Sequence, residues 1–323
     1  MTTTYGFKAI NPDMTCRNFQ FEVGKTYKVD NDKPLELCSE SGFHFCLNFE
    51  DVFNYYNWPT SRVFKIKTEE KVLTEDNKSI TKEITILEEV TKQDIDFKKL
   101  KTDKAKNFYE FFLEDNEEII CNKFKNNADW IIRKAVINKL SDKKLIFDTF
   151  KDDEDFYIRK AVINKLSDEK LIFDTFKDDE HWAVRKAVVK KLSDEKLISY
   201  FKDDEHWRVR EAVVKKLSDE QLIFDTFKDD EDCDVRIAVI KKLSDEQLIF
   251  DTFKDDEDWR VCEAVIKKLS DEQLIFNTFK DDENWWVRLE VVKKLSDENL
   301  ISYFKDDDDL DVRRAVIKKL EEL

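Results

Sequence analysis

Everything after Pro59 in this 323-residue chain is free of glycine and proline, since the three Gly (Gly6, Gly24, Gly42) and three Pro (Pro12, Pro34, Pro59) all precede residue 60. Such a stretch has to make its turns with Asp, Asn and Ser, which is how short helices stop and restart. The same stretch repeats itself. Ser218–Leu243 (SDEQLIFDTFKDDEDCDVRIAVIKKL) recurs with few changes as Ser167–Leu192 and Ser244–Leu269. An Arg marks the period at Arg133, Arg159, Arg185, Arg210, Arg236, Arg288 and Arg313, with Cys262 in its place once. The steps are 26 or 25 residues, and the short ones fall where ISYF replaces IFDTF. Self-similarity at this period is the signature of a helical solenoid whose units bury their faces only by stacking.

Each unit reads as two helical pieces. In the first, Trp207, Val209, Val213 and Leu217 share a face, with acids (Asp203, Asp204, Glu205) before its start and Lys215 and Lys216 in its last turn, as the helix dipole favours. The second opens at Ser218, which with Gln221 fits a capping box, and is short enough to expect some 3-10 character. Lys104–Asp115 and Glu117–Trp130 read as an irregular entry to the array, and Val316, Leu320 and Leu323 as partly uncovered at its other end. Residues 1–97 differ. FQFEV, KTYKV, GFHFC, RVFKIK and KEITILEEV read as strands and NFEDVFNYYNW as a helix, which makes a small α+β domain with an antiparallel sheet. The expected fold is therefore an α+β domain over 1–97 followed by an all-α solenoid of about eight repeats over 98–323.

Composition narrows the function. There are 73 Asp+Glu against 57 Lys+Arg, a net charge of −16, which disfavours a general nucleic-acid binder. No apolar run approaches the ~20 residues of a membrane helix, and the first residues do not read as a secretory signal. Six Cys without a CxxC pair favour reduced thiols, hence a cytoplasmic setting. No P-loop, GxGxxG, GxSxG or HExxH motif is present, and no cofactor is expected.

Several columns of the repeat carry chemistry. The Arg ladder (Arg159, Arg185, Arg210, Arg236, Arg288) either ties neighbouring units through Asp or lines a groove for phosphates, and its position beside Val and Ala favours the tie. Lys190, Lys215, Lys241, Lys267 and Lys293, each followed by a second Lys, would draw a basic stripe, either complementing each helix's own dipole or meeting phosphates. Asp203, Asp204, Asp229 and Asp230 would draw an acidic stripe able to meet a basic partner or imitate a phosphate backbone. Trp130, Phe156, Trp182, Trp207, Trp259 and Trp285 form a column that reads as core between units. The position after the Arg varies, so Ile237 and Leu289, with Trp286 and Glu290, are the candidate partner contacts. His181 and His206 read as exposed polar residues. Cys16, Cys38, His44 and Cys46 have the ligand types of a zinc site but the wrong spacing, and no metal is expected.

The pattern D-x-x-W-x-V-R-x-A-V followed by S-D-E-x-L resembles HEAT-like and leucine-rich variant repeats. That resemblance implies a right-handed superhelix of paired helices that binds proteins or, in some HEAT-like members, DNA on a basic concave face. The front segment, YGFKAINPDMTCRNFQFEVGKTY with LCSESGFHFCLNFEDVFNYY, resembles a small domain of unknown function found in bacteriophage and mobile-element proteins. The two resemblances together imply a non-catalytic, phage-encoded binder. It would occupy the basic groove of a host protein, in its sharpest form a nucleic-acid-handling enzyme such as a CRISPR effector, in the host cytoplasm. Two alternatives stand beside it: direct nucleic-acid binding through the Lys stripe, and an enzyme in residues 1–97. For the latter, GFHF with Tyr55 and Tyr56 faintly resembles ADP-ribosyltransferases, although the matching Arg, Ser-Thr-Ser and Glu-x-Glu set is missing.

Overall fold

A computed structural model describes residues 3–16, 19–30, 33–37, 41–56, 61–112, 114 and 116–322. The chain divides into two compact units, 1–165 and 166–323.

The first unit begins with a strand-rich domain. β1 (Thr4–Ile10), β6 (Arg62–Thr68), β9 (Glu83–Glu89) and β4 (Thr26–Lys28) form an antiparallel sheet in the order β1-β6-β9-β4. β5 (Phe43–Phe45), β8 (Lys78–Thr81) and β7 (Val72–Glu75) form a second, and β2 (Thr15–Cys16) pairs with β3 (Phe19–Gln20). The two larger sheets touch where Phe7 and Cys46 exchange backbone hydrogen bonds of 2.7 and 2.9 Å. Gly6 allows that approach, because a Cβ there would sit 2.5 Å from the Phe45 ring. Ile10, Phe21, Phe43, Phe45, Phe64, Ile66, Ile84 and Ile86 make the core. Four strands escaped the sequence reading: β1, whose residues are buried on both faces, the two-residue β2, and the β7–β8 hairpin, which turns at Asp76 with positive φ rather than at a Gly or Pro. The helix expected over NFEDVFNYYNW is a single 3-10 stretch, Glu50–Asn54.

Helix α1 (Asp103–Phe112) follows and packs on this domain through Phe108, whose ring lies 5.7 and 5.0 Å from those of Phe49 and Phe53. Glu50 accepts from the backbone N–H of Lys101 and Thr102 just before it. The first unit then continues through α2 (Glu117–Phe124), α3 (Trp130–Lys139), α4 (Lys143–Phe150) and α5 (Phe156–Lys165).

The second unit repeats the same pair. Its short helices are α6 (Glu169–Phe176), α8 (Glu195–Ile198), α10 (Glu220–Phe227), α12 (Glu246–Phe253), α14 (Glu272–Phe279) and α16 (Glu298–Ser302). Its long ones are α7 (Trp182–Lys191), α9 (Trp207–Lys216), α11 (Cys233–Lys242), α13 (Trp259–Lys268), α15 (Trp285–Lys294) and α17 (Leu310–Glu322). The fold is a strand-rich domain followed by a helical-repeat solenoid.

The C-terminal ends of the long helices explain how the array dispenses with glycine. Leu192, Leu217, Leu243, Leu269 and Leu295 end them by turning to extended backbone (ψ 145–149°), so no residue has to enter the left-handed region. Each such Leu is buried. Among the described residues, all positive-φ positions (Met14, Gly24, Asp76) lie in the strand-rich domain. Short helices end on a buried Phe: Phe176, Phe201, Phe227, Phe253, Phe279 and Phe304 are at most 2 % exposed, each stabilising its interface by roughly 2–3 kcal/mol.

The short helix starts differently from the expectation. Asp219, not Ser218, is the N-cap, accepting from Leu222 N–H at 3.0 Å, and no Ser218–Gln221 box forms. Ser218 is drawn away by Glu195 of the preceding repeat. In the 25-residue copies the missing residue is absorbed by tightening the second piece into a 3-10 turn, Ser199–Phe201 and Tyr303–Asp306. Val316 is buried rather than uncovered, and Leu323 lies outside the described residues.

Candidate functional site

Two features carry chemistry: the side-chain columns of the repeats and a cavity in the strand-rich domain. In the columns, the question is which charges the fold consumes and which it leaves to solvent.

The arginines are consumed. Arg133, Arg185, Arg210, Arg236 and Arg288 are each 5–9 % exposed. Each places Nε and Nη2 on the two carboxylate oxygens of one Asp in the next repeat: Asp153, Asp204, Asp230, Asp256 and Asp307 respectively, at 2.7–2.9 Å. Nη1 of each also donates to a backbone carbonyl in its own entry loop, for example Asp204 O for Arg210 at 2.8 Å. Arg159 makes the same loop bond, to Asp153 O at 2.8 Å. Bidentate pairing of this kind fixes orientation as well as charge. The Asp hydrogen bonds raise the Arg pKa values further, against the effect of burial. Asp204 and Asp230, read from the sequence as partner contacts, are therefore spent inside the ladder, their side chains only 6 % exposed.

A second ladder was missed. In every short helix from α2 to α14 except α4, which starts with Lys143, the first Glu reaches the Ser before the next repeat's short helix: Glu117 to Ser141, Glu169 to Ser193, Glu195 to Ser218, Glu220 to Ser244, Glu246 to Ser270 and Glu272 to Ser296. In each clip the Ser donates both its backbone N–H and its hydroxyl. These bonds hold Glu117, Glu169, Glu220, Glu246 and Glu272 below the ordinary glutamate pKa. The signal was the S-D-E that recurs in every copy after the S-D-K of Ser141–Lys143, absorbed in the sequence reading by the capping box.

The lysines are largely consumed too. In four of the pairs the second Lys donates to a carbonyl at the end of the previous repeat's long helix: Lys242 to Leu217 O at 2.7 Å, Lys268 to Lys241 O at 3.5 Å, Lys294 to Lys267 O at 3.1 Å and Lys319 to Lys293 O at 3.0 Å. The dipole they complement is thus the neighbour's, not their own helix's. The first Lys of each pair (Lys190, Lys215, Lys241, Lys267, Lys293) is exposed. Of these, Lys215 pairs with Glu211, Lys267 with Glu263, and Lys293 with Glu290.

Leu289 and Glu290 are not surface contacts: each is 7 % exposed. Leu289 is packed inward, and Glu290 is held by Lys293 with Lys267 3.7 Å away. Ile237 is half-buried and lines a groove of about 400 Å³ with Asp234, Trp259, Arg260, Glu263 and Lys267. Trp286 is half-buried against Trp259 and Trp285, and its Nε1 is enclosed without an acceptor among the described residues. The Trp column is an edge rather than a core. Trp130, Phe156, Trp182, Trp207 and Trp285 are half-buried and Trp259 is 37 % exposed, because each begins its long helix at the surface. His181 and His206 are N-caps, Nδ1 of each accepting a backbone N–H two residues on. Burial and then Arg208 hold the His206 imidazole below its ordinary pKa, which keeps that lone pair available.

Beside these lysines, a set of acidic side chains in the loops before the long helices also stays in solvent. Asp203 is exposed, Asp229 is 85 % exposed and Asp255 85 %; Glu205, Glu231 and Asp308 beside the ladder are 81, 82 and 90 % exposed. The rungs of Arg185, Arg210 and Arg288 each set two carboxylates against one guanidinium, so this ridge of loops stays negative.

The cavity in the strand-rich domain measures about 640 Å³. Phe7, Phe19, Phe21, Phe43 and Phe45 wall it, with Lys8, Cys16, His44, Cys46, Tyr55, Tyr56 and Lys78 among its lining. Cys16, His44 and Cys46, weighed as zinc ligands, thus share one cavity, and Cys38 lies outside the described residues. They do not assemble into a metal centre: Cys16 lies 4.0 Å from the Tyr56 hydroxyl, and among the described residues no three His, Cys, Asp or Glu groups are placed to share an ion. Burial, with Asp51 second, pushes the Cys46 thiol up to about 12, so it is no nucleophile near neutrality.

No helix among the described residues is long and apolar enough to cross a membrane. No curated protein matches the chain. Among solved structures, it is similar to an engineered protein at 10 % identity, with 65 % of this chain and 96 % of that one covered and a TM-score of 0.20. A designed armadillo repeat protein is similar at 15 % identity, 62 % and 96 % coverage and a TM-score of 0.22. At such TM-scores neither likeness carries an argument about this chain. Residues 4–98 match the family described as a domain of unknown function (DUF7666), over the strand-rich part of the chain.

Proposed function

We propose that the chain is a non-catalytic protein-binding scaffold whose acidic loop ridge docks on the basic groove of a partner. The observation that carries this reading is the unequal fate of the charges. The arginines and four of the second lysines are tied into the fold, three of the five exposed stripe lysines face glutamates, and Asp203, Asp229 and Asp255 stand in solvent at one-repeat intervals, the latter two with the preceding Lys 3.8 and 3.9 Å away. A spaced row of carboxylates complements a groove built for phosphates, and it disfavours nucleic acid as the direct ligand. With the front segment's likeness to phage and mobile-element proteins, the sharpest form is a phage-encoded inhibitor of a host nucleic-acid-handling enzyme, such as a CRISPR effector, acting in the host cytoplasm.

The test is capture of such an enzyme on the immobilised full chain from host lysate, followed by association kinetics with the purified partner at rising salt. The triple variant Asp203→Lys, Asp229→Lys, Asp255→Lys is expected to slow association about tenfold or more while leaving the melting temperature near that of the parent. Association indifferent to both salt and the triple variant sinks the reading.

A further inference from the structure

The outer side of α17 carries, uncovered, the stripe by which the interior long helices hold the next repeat. In α9 that stripe is Trp207, Arg210, Val214 and Leu217. Its equivalent in α17 is Leu310, Arg313, Ile317 and Leu320, at the same spacings of three and four that place residues on one side of a helix. The inner side of α17, with Val312 and Val316 buried, packs on α15 and α16. At the middle of the stripe, Val189, Val214, Ile240, Ile266 and Val292 are all 0 % exposed, whereas Ile317 is 59 % exposed and Leu310 50 %. Arg313 keeps the loop bond of the other ladder arginines, from Nη1 to Asp307 O, but among the described residues its Nε and Nη2 meet no carboxylate. Helix α17 also runs through Leu320 to Glu322, where α15 stops before Leu295. The added turn brings Glu321, four residues beyond Ile317, to the same side, exposed and without an ion pair among the described residues. A stripe with a cation near its start, an anion near its finish and apolar residues between and beside them is complementary to itself. Laid antiparallel on a second copy, Ile317 is covered and each Arg313 faces Glu321 of the other copy.

We infer that α17 pairs antiparallel with α17 of a second copy of this chain across a two-fold axis. The contact continues the interior interface in kind: apolar burial, with an Arg–carboxylate pair added to it. A two-fold contact uses the same patch on both copies and closes on itself, so the assembly is a dimer and not a filament.

Sedimentation velocity of the full chain between about 1 and 100 µM tests it, since a contact between two helices is small and is expected to dissociate in the micromolar range. The parent is expected to pass from monomer to dimer across that range. Ile317→Glu is expected to weaken association about tenfold or more, and so are Arg313→Glu and Glu321→Arg singly, because each sets like charges against one another. The double variant Arg313→Glu, Glu321→Arg is expected to regain most of the affinity, since the swap preserves the pairing. Melting temperatures near that of the parent, measured at the dilute end of the range, show that the repeats of each variant remain folded. A parent that stays monomeric throughout, an assembly that grows beyond the dimer, a dimer unmoved by Ile317→Glu, or a double variant no tighter than the single ones would each overturn the inference. None of these outcomes touches the acidic-ridge reading, which concerns other residues.

Discussion

Two interfaces of the second unit differ in one residue of the ladder. Between α9 and α11, Arg210 grips Asp230 with two bonds, at 2.7 and 2.8 Å. Between α13 and α15 the same position is Cys262, and the corresponding carboxylate, Asp282, keeps the bond from Asn284 N–H, at 2.8 Å, that Asp230 also accepts from Asp232 N–H, at 2.9 Å. The Cys262 thiol donates toward Asp256 O and Lys254 O, at 3.4 and 3.9 Å, close to where Nη1 of the other arginines sits. Burial, then Asp282 and Asp256, push it up to about 12, so it stays a neutral donor. Both interfaces keep the buried Phe and Leu and the Glu–Ser clip: Phe227 and Leu243 in one, Phe279 and Leu295 in the other. The comparison teaches that apolar burial holds the repeats together, and that the Arg–Asp rung is an addition the array tolerates losing once, with Asp282 keeping a backbone N–H as partner.

The largest effect should come from removing one half of an intact rung. Arg210→Ala leaves Asp230, its side chain 6 % exposed, with the Asp232 N–H but no guanidinium, and is expected to lower unfolding stability by about 3–5 kcal/mol in denaturant titration. A loss under about 1 kcal/mol would mean the two interfaces do not differ in the way described. Filling the gap sharpens the contrast: Cys262→Arg supplies a partner for Asp282 and is expected to gain about 1.5 kcal/mol, the worth of a charge-assisted hydrogen bond. A lower melting temperature for this variant would show that the site has closed around the smaller thiol. The smallest effect is shared by both interfaces. Glu220 and Glu272 are held below their ordinary 4.5 by the Ser clips, so the folded state binds protons less readily than the unfolded one. The contribution is complete above that value and is lost as pH falls through the folded values. Melting temperature should therefore be flat from neutrality to about pH 5 and decline below it, and Ser244→Ala should flatten that decline slightly; a decline that begins near pH 6 would point away from the clips.

Legibility in the sequence followed locality. The period, the two-helix unit, the shortened ISYF copies and the Arg column were all visible, because each is a property of one repeat multiplied. The candidate surface was half visible. Asp203 and Asp229 are exposed, but their neighbours Asp204 and Asp230, indistinguishable as residue types, are buried. Leu289 and Glu290 were misread because variation within a column was taken as freedom from packing, whereas Glu290 is paired across the interface by Lys267 and Lys293. The cavity was legible only as residue types, Cys16, His44 and Cys46 weighed as metal ligands and Tyr55 and Tyr56 singled out beside them, because Lys8, His44, Tyr55 and Lys78 lie on four segments that meet only after β1 pairs with β6 and β5 with β8.

By itself, then, the sequence determined where helices begin and end and that they must stack, since helices this short bury too little alone to be stable. Which carboxylate meets which arginine, which repeat's helix a lysine caps, and that distant segments of the strand-rich domain enclose one cavity were decided by tertiary structure alone. The reason is that charge is a property of a residue, whereas its neutralisation depends on what lies within a few ångströms of it, and in this molecule those neighbours come from the next repeat or from a distant strand.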